Sequence, residues 1–243
     1  TNAIMLKNRR IGLSQSGVIQ AFNKHGRREM LEWCDKAYDH VQELDKEFSD
    51  WLCVPRSVRT TSIKPSGTVS LLNGSTPGIH YPEAEYYIRR IRFSIGNAIL
   101  KAIEEAGYHV EKDAYSPNTM VASFPVHEPF FQKGKNEASM WEQLEIAAAY
   151  QHYWADNSVS VTVTFKADEA KDIKTALEMY ESRLKAVSFL RFQETGYEQA
   201  PYEPITKEQY GEMTKNITPI ERIETEEQGA GTVFCDGDSC EIA

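Results

Sequence analysis

Asn157-Ser-Val-Ser-Val-Thr-Val-Thr-Phe165 is the stretch on which the fold turns. Valine and threonine fill its centre and neither glycine nor proline interrupts it, so it reads as a strand. Apolar spacing predicts a helix on each side, over 138–154 and over 167–184, and a further strand follows in Ala186-Val-Ser-Phe-Leu190. A helix between two strands is the usual crossover of a parallel pair, so the chain is expected to be an α/β protein.

The same alternation extends toward the N-terminus. Ile11-Gly-Leu13 reads as a short buried strand, and Ser14-Gln-Ser-Gly17 as the turn that opens a helix. Residues 27–52 form one long expected helix, because Leu31, Cys34, Tyr38, Val41, Leu44, Phe48 and Trp51 recur at spacings of three and four. Val58-Arg-Thr-Thr-Ser-Ile63 alternates as a strand does. A helix is expected over 85–106 with Gly107 as its C-cap, and a strand over Thr119-Met-Val-Ala-Ser-Phe124, closed by Pro125. Periodicity fades after Phe192, and no internal repeat is visible.

Composition narrows the function classes. The chain has 243 residues, 41% hydrophobic, with 12 Tyr, 10 Phe and 4 Trp, which suits a folded core of one large domain or two small ones. No apolar run approaches the roughly 18 residues of a membrane helix. A net charge of −9 argues against general affinity for nucleic acid. Four cysteines are too few for a disulfide scaffold, which favours a reducing cytoplasm. The opening Thr1-Asn-Ala-Ile-Met5 runs at once into Lys7-Asn-Arg-Arg10, as though cut from something longer.

Three places carry candidate chemistry. Between the strand at 58–63 and the apolar Val69-Ser-Leu-Leu72 lies Lys64-Pro-Ser-Gly-Thr68. A small-residue turn from a strand into a helix presents amides and hydroxyls to an anion. Ser66, Gly67, Thr68 and Ser70 can together surround phosphate oxygens, with Lys64 adding charge; a plain capped turn has the same composition, and the order is not that of a P-loop. The second place is the C-terminus, Cys235-Asp-Gly-Asp-Ser-Cys240, preceded by the acidic Glu221-Arg-Ile-Glu-Thr-Glu-Glu227. Such a segment is expected to be a mobile arm, and a dithiol on it suits disulfide exchange. Zinc is disfavoured because the tail has no histidine, so no metal site is expected; unremarkable tail thiols are the bland alternative. The third is Cys34, whose place on the apolar stripe makes it a buried structural thiol, with Cys53 read the same way. His80 reads as a surface loop residue, and Arg89, Arg90 and Arg92 as a charged run at a helix start.

Taken in order, Arg9-Arg-Ile-Gly-Leu13, Ser57-Val-Arg-Thr-Thr-Ser-Ile-Lys-Pro-Ser-Gly-Thr-Val-Ser-Leu-Leu72, Asp156-Asn-Ser-Val-Ser160, Leu184-Lys-Ala-Val-Ser-Phe-Leu190 and the terminal Cys-x4-Cys resemble the adenosylcobalamin-dependent (class II) ribonucleotide reductases, nearest to the monomeric ribonucleoside-triphosphate type. The likeness covers the whole chain but only the last third of such an enzyme. It implies a partial ten-stranded α/β barrel of the ribonucleotide reductase and glycyl radical type. Residues 1–192 would be its C-terminal strands and helices, 193–224 a linker and peripheral segment, and 225–243 a flexible redox tail. Pro65, Ser66, Gly67, Thr68, Val69 and Ser70 match the family's substrate-phosphate loop, and Cys235 and Cys240 its terminal shuttle pair.

The resemblance further implies thiyl-radical reduction of ribonucleoside triphosphates to deoxyribonucleotides for DNA synthesis, in the cytoplasm, with thioredoxin or a similar dithiol as reductant and adenosylcobalamin bound by the complete enzyme. The finger-loop Asn-Pro-Cys-Gly-Glu is absent, as are the barrel dithiol and the allosteric site. The chain alone is therefore expected to be inactive without an N-terminal remainder, whether it is an intein-spliced piece, a split-gene product or a truncation. Val187, Ser188 and Phe189 stand where radical-relay relatives place two tyrosines; a radical generated by cobalt–carbon homolysis needs no such relay. A non-catalytic nucleotide-binding or assembly module built on the same barrel is the alternative. Neither nucleic acid nor membrane is an expected partner.

Overall fold

The structure, a computed structural model, describes residues 2–67, 69–192 and 198–220. In chain order the elements are α1 (Asn2–Asn8), β1 (Arg10–Leu13), α2 (Val18–His25), α3 (Arg27–Trp51), β2 (Arg59–Thr61), β3 (Tyr86–Ser94), α4 (Ala98–Glu105), β4 (His109–Lys112), β5 (Thr119–His127), α5 (Met140–Tyr153), β6 (Thr162–Phe165), α6 (Ile173–Tyr180), β7 (Ser188–Arg191), β8 (Tyr202–Pro204) and α7 (Lys207–Thr214).

Two parallel pairs form one layer. β1 runs beside β2, β6 beside β7, and a parallel bridge between Ile63 and Val159 joins the pairs, giving the order β1-β2-β6-β7. Asp156 sets the join. Its carboxylate accepts from the Thr60 and Thr61 amides (3.0 and 2.9 Å) and from both threonine hydroxyls (3.2 Å each). The Trp154 indole N–H donates to the Ser62 carbonyl (3.0 Å), and the Asn157 amide nitrogen to the Thr61 carbonyl (3.0 Å).

Helices α3, α5 and α6 cover this layer. α5 is apolar on nearly every side and buries Met140, Leu144, Ile146, Ala147, Ala148, Ala149 and Tyr150, the pattern of a central helix. Its alanines let it lie close against β6, where Val163 is fully buried. The Ser139 hydroxyl caps it by accepting from the Glu142 amide (3.2 Å). Cys34 reaches the same core from α3, as its place on the stripe predicts.

Several expectations need correction. Strand β1 forms but is exposed along its length: among the described residues only β2 flanks it, and Ile11 and Leu13 remain 43% and 47% accessible. The helix expected over 85–106 is a nine-residue strand, β3, followed after Gly96 and the Asn97 cap by the short α4. Aromatic and β-branched residues (Tyr86, Tyr87, Ile88, Ile91, Phe93) favour extended backbone, and β5 pairs with them from Tyr86–His127 to Ser94–Thr119. Gly107 does end α4, with φ +91°. Pro125 does not close β5, which runs on to His127; β4 stops opposite Ser123, so no ladder partner on that flank needs the missing N–H.

The result is a second, antiparallel sheet in the order β4-β5-β3-β8, which alternation of strands and helices does not foretell. Its edge strand β8 and helix α7 lie in the stretch expected as linker. The expected helix over 167–184 is shortened to α6 behind a 3₁₀ turn at Ala170–Asp172. The described residues thus form an α/β fold with eight strands in small sheets.

Replacing Asp156 by alanine strands the Thr60 and Thr61 amides inside the join. The loss of charge-assisted hydrogen bonds should lower stability by about 3 kcal/mol in urea unfolding, with Asp156→Asn intermediate because an amide keeps a single acceptor oxygen.

Candidate functional site

Beyond Ile63, which is fully buried, the chain leaves the parallel layer at the carboxyl end of β2. The Lys64 amide donates to the Ser14 hydroxyl (2.9 Å), tying the turn after β1 to the start of the loop. Lys64, Pro65 and Gly67 are exposed, Ser66 is half-buried, and Thr68 lies outside the described residues. No long helix follows; Val69–Asn73 is a single 3₁₀ turn.

Ser70 is buried, and both its amide (3.1 Å) and its hydroxyl donate to the Ser66 carbonyl. It shapes the loop from within and does not face outward as a phosphate ligand. Gly67 is different. A Cβ built there would meet nothing within 4 Å, and its φ is not left-handed. Among the described residues, neither packing nor backbone geometry demands glycine there.

The returning limb is closely held. The Ser75 amide donates to the Ser70 carbonyl (3.0 Å), and the Gly17 amide to the Thr76 carbonyl (2.8 Å). His80 then braces the loop against β6. Its Nε2 accepts from the Thr162 amide (3.3 Å), so Nδ1 carries the proton and donates to the Pro77 carbonyl (3.0 Å). Burial holds its pKa below the usual histidine value, and both nitrogens are engaged. It is a neutral strut, not a surface histidine. A cleft of about 280 Å³ opens beside the loop, lined by Pro65, Gly67, Thr76, Tyr87, Lys135 and Tyr202 among others. Larger hollows lie on the helical side, away from the loop.

Two residues of this region carry no sequence signal. Gln20 sits on α2 and Glu128 follows β5, where an acid normally reads as a solvated loop charge. Glu128 is only 3% accessible, and it accepts from the Gln20 side-chain amide. Burial pushes its pKa up to about 7, the Gln20 hydrogen bond opposing in part.

The remaining candidates separate. Cys34 is buried, with Sγ 3.6 Å from Gln15 Oε1 and 3.7 Å from the Tyr150 hydroxyl, and burial pushes its thiol pKa up, so it is an inert structural thiol. Cys53 is exposed, in a left-handed conformation (φ +51°) just after α3, and so departs from its buried reading. Cys235 and Cys240 lie outside the described residues. Arg89, Arg90 and Arg92 belong to a strand, not a helix start. They donate to the carbonyls of Pro201 (3.1 Å), Ala200 (3.0 Å) and Gln199 (3.2 Å), binding the segment that leads into β8. Among the described residues no cluster of three or more His, Cys, Asp or Glu could hold a metal, and no helix is long and apolar enough to cross a membrane.

Comparison with known proteins gives this geometry a context. The chain is 42% identical over 249 aligned residues to a probable adenosylcobalamin-dependent ribonucleoside-triphosphate reductase of Dictyostelium discoideum, covering 100% of the chain and 33% of that protein. The corresponding reductase of Euglena gracilis is also 42% identical, over 99% of the chain and 34% of its own length. That of Lactobacillus acidophilus is 35% identical over 98% and 37%. A crystal structure of a B12-dependent (class II) ribonucleotide reductase superposes with a TM-score of 0.83 at 31% identity, over 91% of this chain and 35% of that one. The chain is homologous to part of a class II ribonucleotide reductase. It spans about a third of the length of the curated relatives it matches. No protein-family model matches it.

The reductase homology leaves Glu128 a testable anomaly. Its folded pKa lies above the usual carboxyl value of 4.5, so the folded state binds the proton more tightly and stability falls as pH rises from about 4.5 through 7. Glu128→Gln removes that charge. It should therefore raise stability by about 1–3 kcal/mol at pH 8 and leave it nearly unchanged at pH 4, read from urea unfolding at the two pH values.

Proposed function

We propose that this chain is the C-terminal third of an adenosylcobalamin-dependent ribonucleoside-triphosphate reductase and works only with the remaining two thirds. One observation carries the reading: a glycine loop at the carboxyl end of a parallel strand, with open space above Gly67, in a chain 42% identical from end to end to a reductase of that kind.

In this reading the exposed edges are joints. Among the described residues the outer flank of β1 has no partner strand, and Ile11, Leu13, Val58 and Leu190 are left accessible. Apolar surface of this kind is normally covered, and the missing strands of a ten-stranded barrel would cover it. The loop Pro65–Ser70 binds the substrate's phosphates through backbone amides, with Lys64 supplying positive charge at its rim. Ser70 contributes by closing the turn that aims those amides.

Adenosylcobalamin enters through the relatives. The hollow of about 540 Å³ on the helical side does not fit it: Arg183 and Glu145, which face that hollow, are paired with each other (2.9 Å). His80 has no free nitrogen to offer a metal. No contact to the cofactor is assigned to residues of this chain.

Cys235 and Cys240 act as the shuttle. One thiolate attacks the disulfide left in the barrel after each reduction, and the second resolves the mixed disulfide. Two electrons and two protons pass inward, and thioredoxin restores the tail pair. The setting is the reducing cytoplasm, and the product supplies DNA synthesis.

Reconstitution of the chain with the preceding two thirds of the reductase, adenosylcobalamin and a dithiol should yield deoxyribonucleotide; nucleotide binding without turnover would support the non-catalytic module. Gly67→Val fills the open space and should raise the nucleotide KM by roughly ten-fold or more while leaving the melting temperature unchanged. An unaltered KM would overturn the phosphate assignment. With thioredoxin as sole reductant, Cys235→Ser and Cys240→Ser should stop after about one turnover, yet keep turning over with a small dithiol.

A further inference from the structure

The returning limb of the loop, Gly74 to Thr76, is held by backbone hydrogen bonds of Gly74, Ser75 and Thr76 and by one side chain. Gln20 Nε2 donates to the Gly74 carbonyl (2.9 Å) and to the Glu128 carboxyl group, while its Oε1 accepts from the Thr76 amide (3.3 Å). Every hydrogen of this amide has an acceptor. The Thr76 hydroxyl is buried without a partner among the described residues, so the limb is gripped by its backbone alone.

Orientation matters here. An amide turned end for end would set its oxygen against two acceptors, the Gly74 carbonyl and Glu128, and its N–H₂ against the Thr76 N–H. When ionised, Glu128 can only accept, and it then selects the orientation in which Gln20 Nε2 grips the limb. Glu128 is itself anchored, its amide donating to the Glu85 carbonyl (2.8 Å) where β3 begins.

Room for the grip is also built in. Gly17 is left-handed (φ +72°), and a Cβ there would come within 2.8 Å of Gln20 Oε1 and 3.2 Å of the Ser75 hydroxyl. A path of hydrogen bonds, with the Ser75–Thr76 peptide as one link, thus leads from Ser66 through Ser70, Ser75, Thr76 and Gln20 to Glu128 just after β5.

We infer that Gln20 and Glu128 are a positioning pair that fixes the phosphate loop against the antiparallel sheet, and so sets nucleotide affinity without touching the nucleotide. The inference rests on the phosphate reading of Pro65–Ser70. A loop held in its binding conformation loses less conformational freedom on binding, so release of the grip weakens affinity and leaves the chemical step alone.

The test uses the reconstituted enzyme with a ribonucleoside triphosphate. Gln20→Leu should raise KM by roughly ten-fold with kcat changed less than about two-fold, and should speed hydrogen exchange at the Gly74, Ser75 and Thr76 amides in the nucleotide-free protein. Glu128→Leu, which leaves the loop and Gln20 intact, should raise KM about three-fold or more by freeing the amide to turn; it serves as the independent arm if Gln20→Leu does not fold. The exchanged pair, Gln20→Glu with Glu128→Gln, restores an acceptor for Thr76 and a donor between the partners, and should bind more tightly than Gln20→Glu alone.

Faster exchange with an unchanged KM would show a grip that does not position the loop and would overturn the inference. Unchanged exchange in Gln20→Leu would overturn it as well. If Gly67→Val raises KM and neither Gln20→Leu nor Glu128→Leu does, the positioning pair alone falls. If Gly67→Val has no effect, the phosphate reading falls, and this inference with it.

Discussion

The Asp156 carboxylate holds the fold at its weakest seam. β2 and β6 do not pair along their lengths; a single isolated parallel bridge, Ile63 to Val159, joins them. Upstream of that bridge the Thr60 and Thr61 amides would be buried with no strand beside them, a cost of about 1–3 kcal/mol each. A carboxylate accepting from both amides takes the place of the missing strand. The threonine hydroxyls add to the same acceptor, and Trp154 and Asn157 fix the neighbouring carbonyls. Four parallel strands thereby act as one layer although they hydrogen-bond as two pairs.

That layer was legible in the sequence for local reasons. Strands β2 and β6 are rich in threonine and valine, and the helix stripe through Leu31, Cys34 and Tyr38 repeats without a break, so nearby residues suffice to specify both. The antiparallel sheet was not legible for the opposite reason. Arg89, Arg90 and Arg92 look like the polar face of a helix until the carbonyls of 199–201 are brought to them, and those lie more than a hundred residues downstream. Tertiary partners decided the period, as they do wherever local preference is weak. The exposed β1 has a similar cause, since Ile11 and Leu13 are apolar for a surface that the described residues do not cover.

The candidate site divides along the same line. A run of small residues between a strand and an apolar segment announces an anion loop, because such residues leave amides open. What holds the loop does not announce itself. Gln20 is one polar residue on an amphipathic helix, and its task is defined by Glu128, 108 positions away. Gly17 carries a partial signal, for a left-handed glycine just before a helix marks a tight approach, though not what approaches. Ser70 misleads in the other direction: its hydroxyl looks like a ligand in sequence and proves to close the turn.

The antiparallel sheet accordingly frames both ends of the proposed chemistry. At the end of β5, Glu128 reaches through Gln20 to the phosphate loop. On β3, the arginines bind residues 199–201, and Tyr86 and His127 stack at 4.7 Å beneath Tyr210 of α7. Beyond α7, the Thr218 amide donates to the Ala106 carbonyl (2.9 Å), and at Gly107 a Cβ would lie 2.6 Å from the Asn216 carbonyl oxygen, so the chain is fixed close to the last described residue, Ile220. Twenty residues separate Ile220 from Cys240, a reach of at most about 70 Å if fully extended. That anchor lies at the turn between α4 and β4, and α7 just before it packs on β5 and β3. Because α7 and Glu128 both rest on this sheet, the distance between them is set by strand geometry, which varies far less than the conformation of any loop.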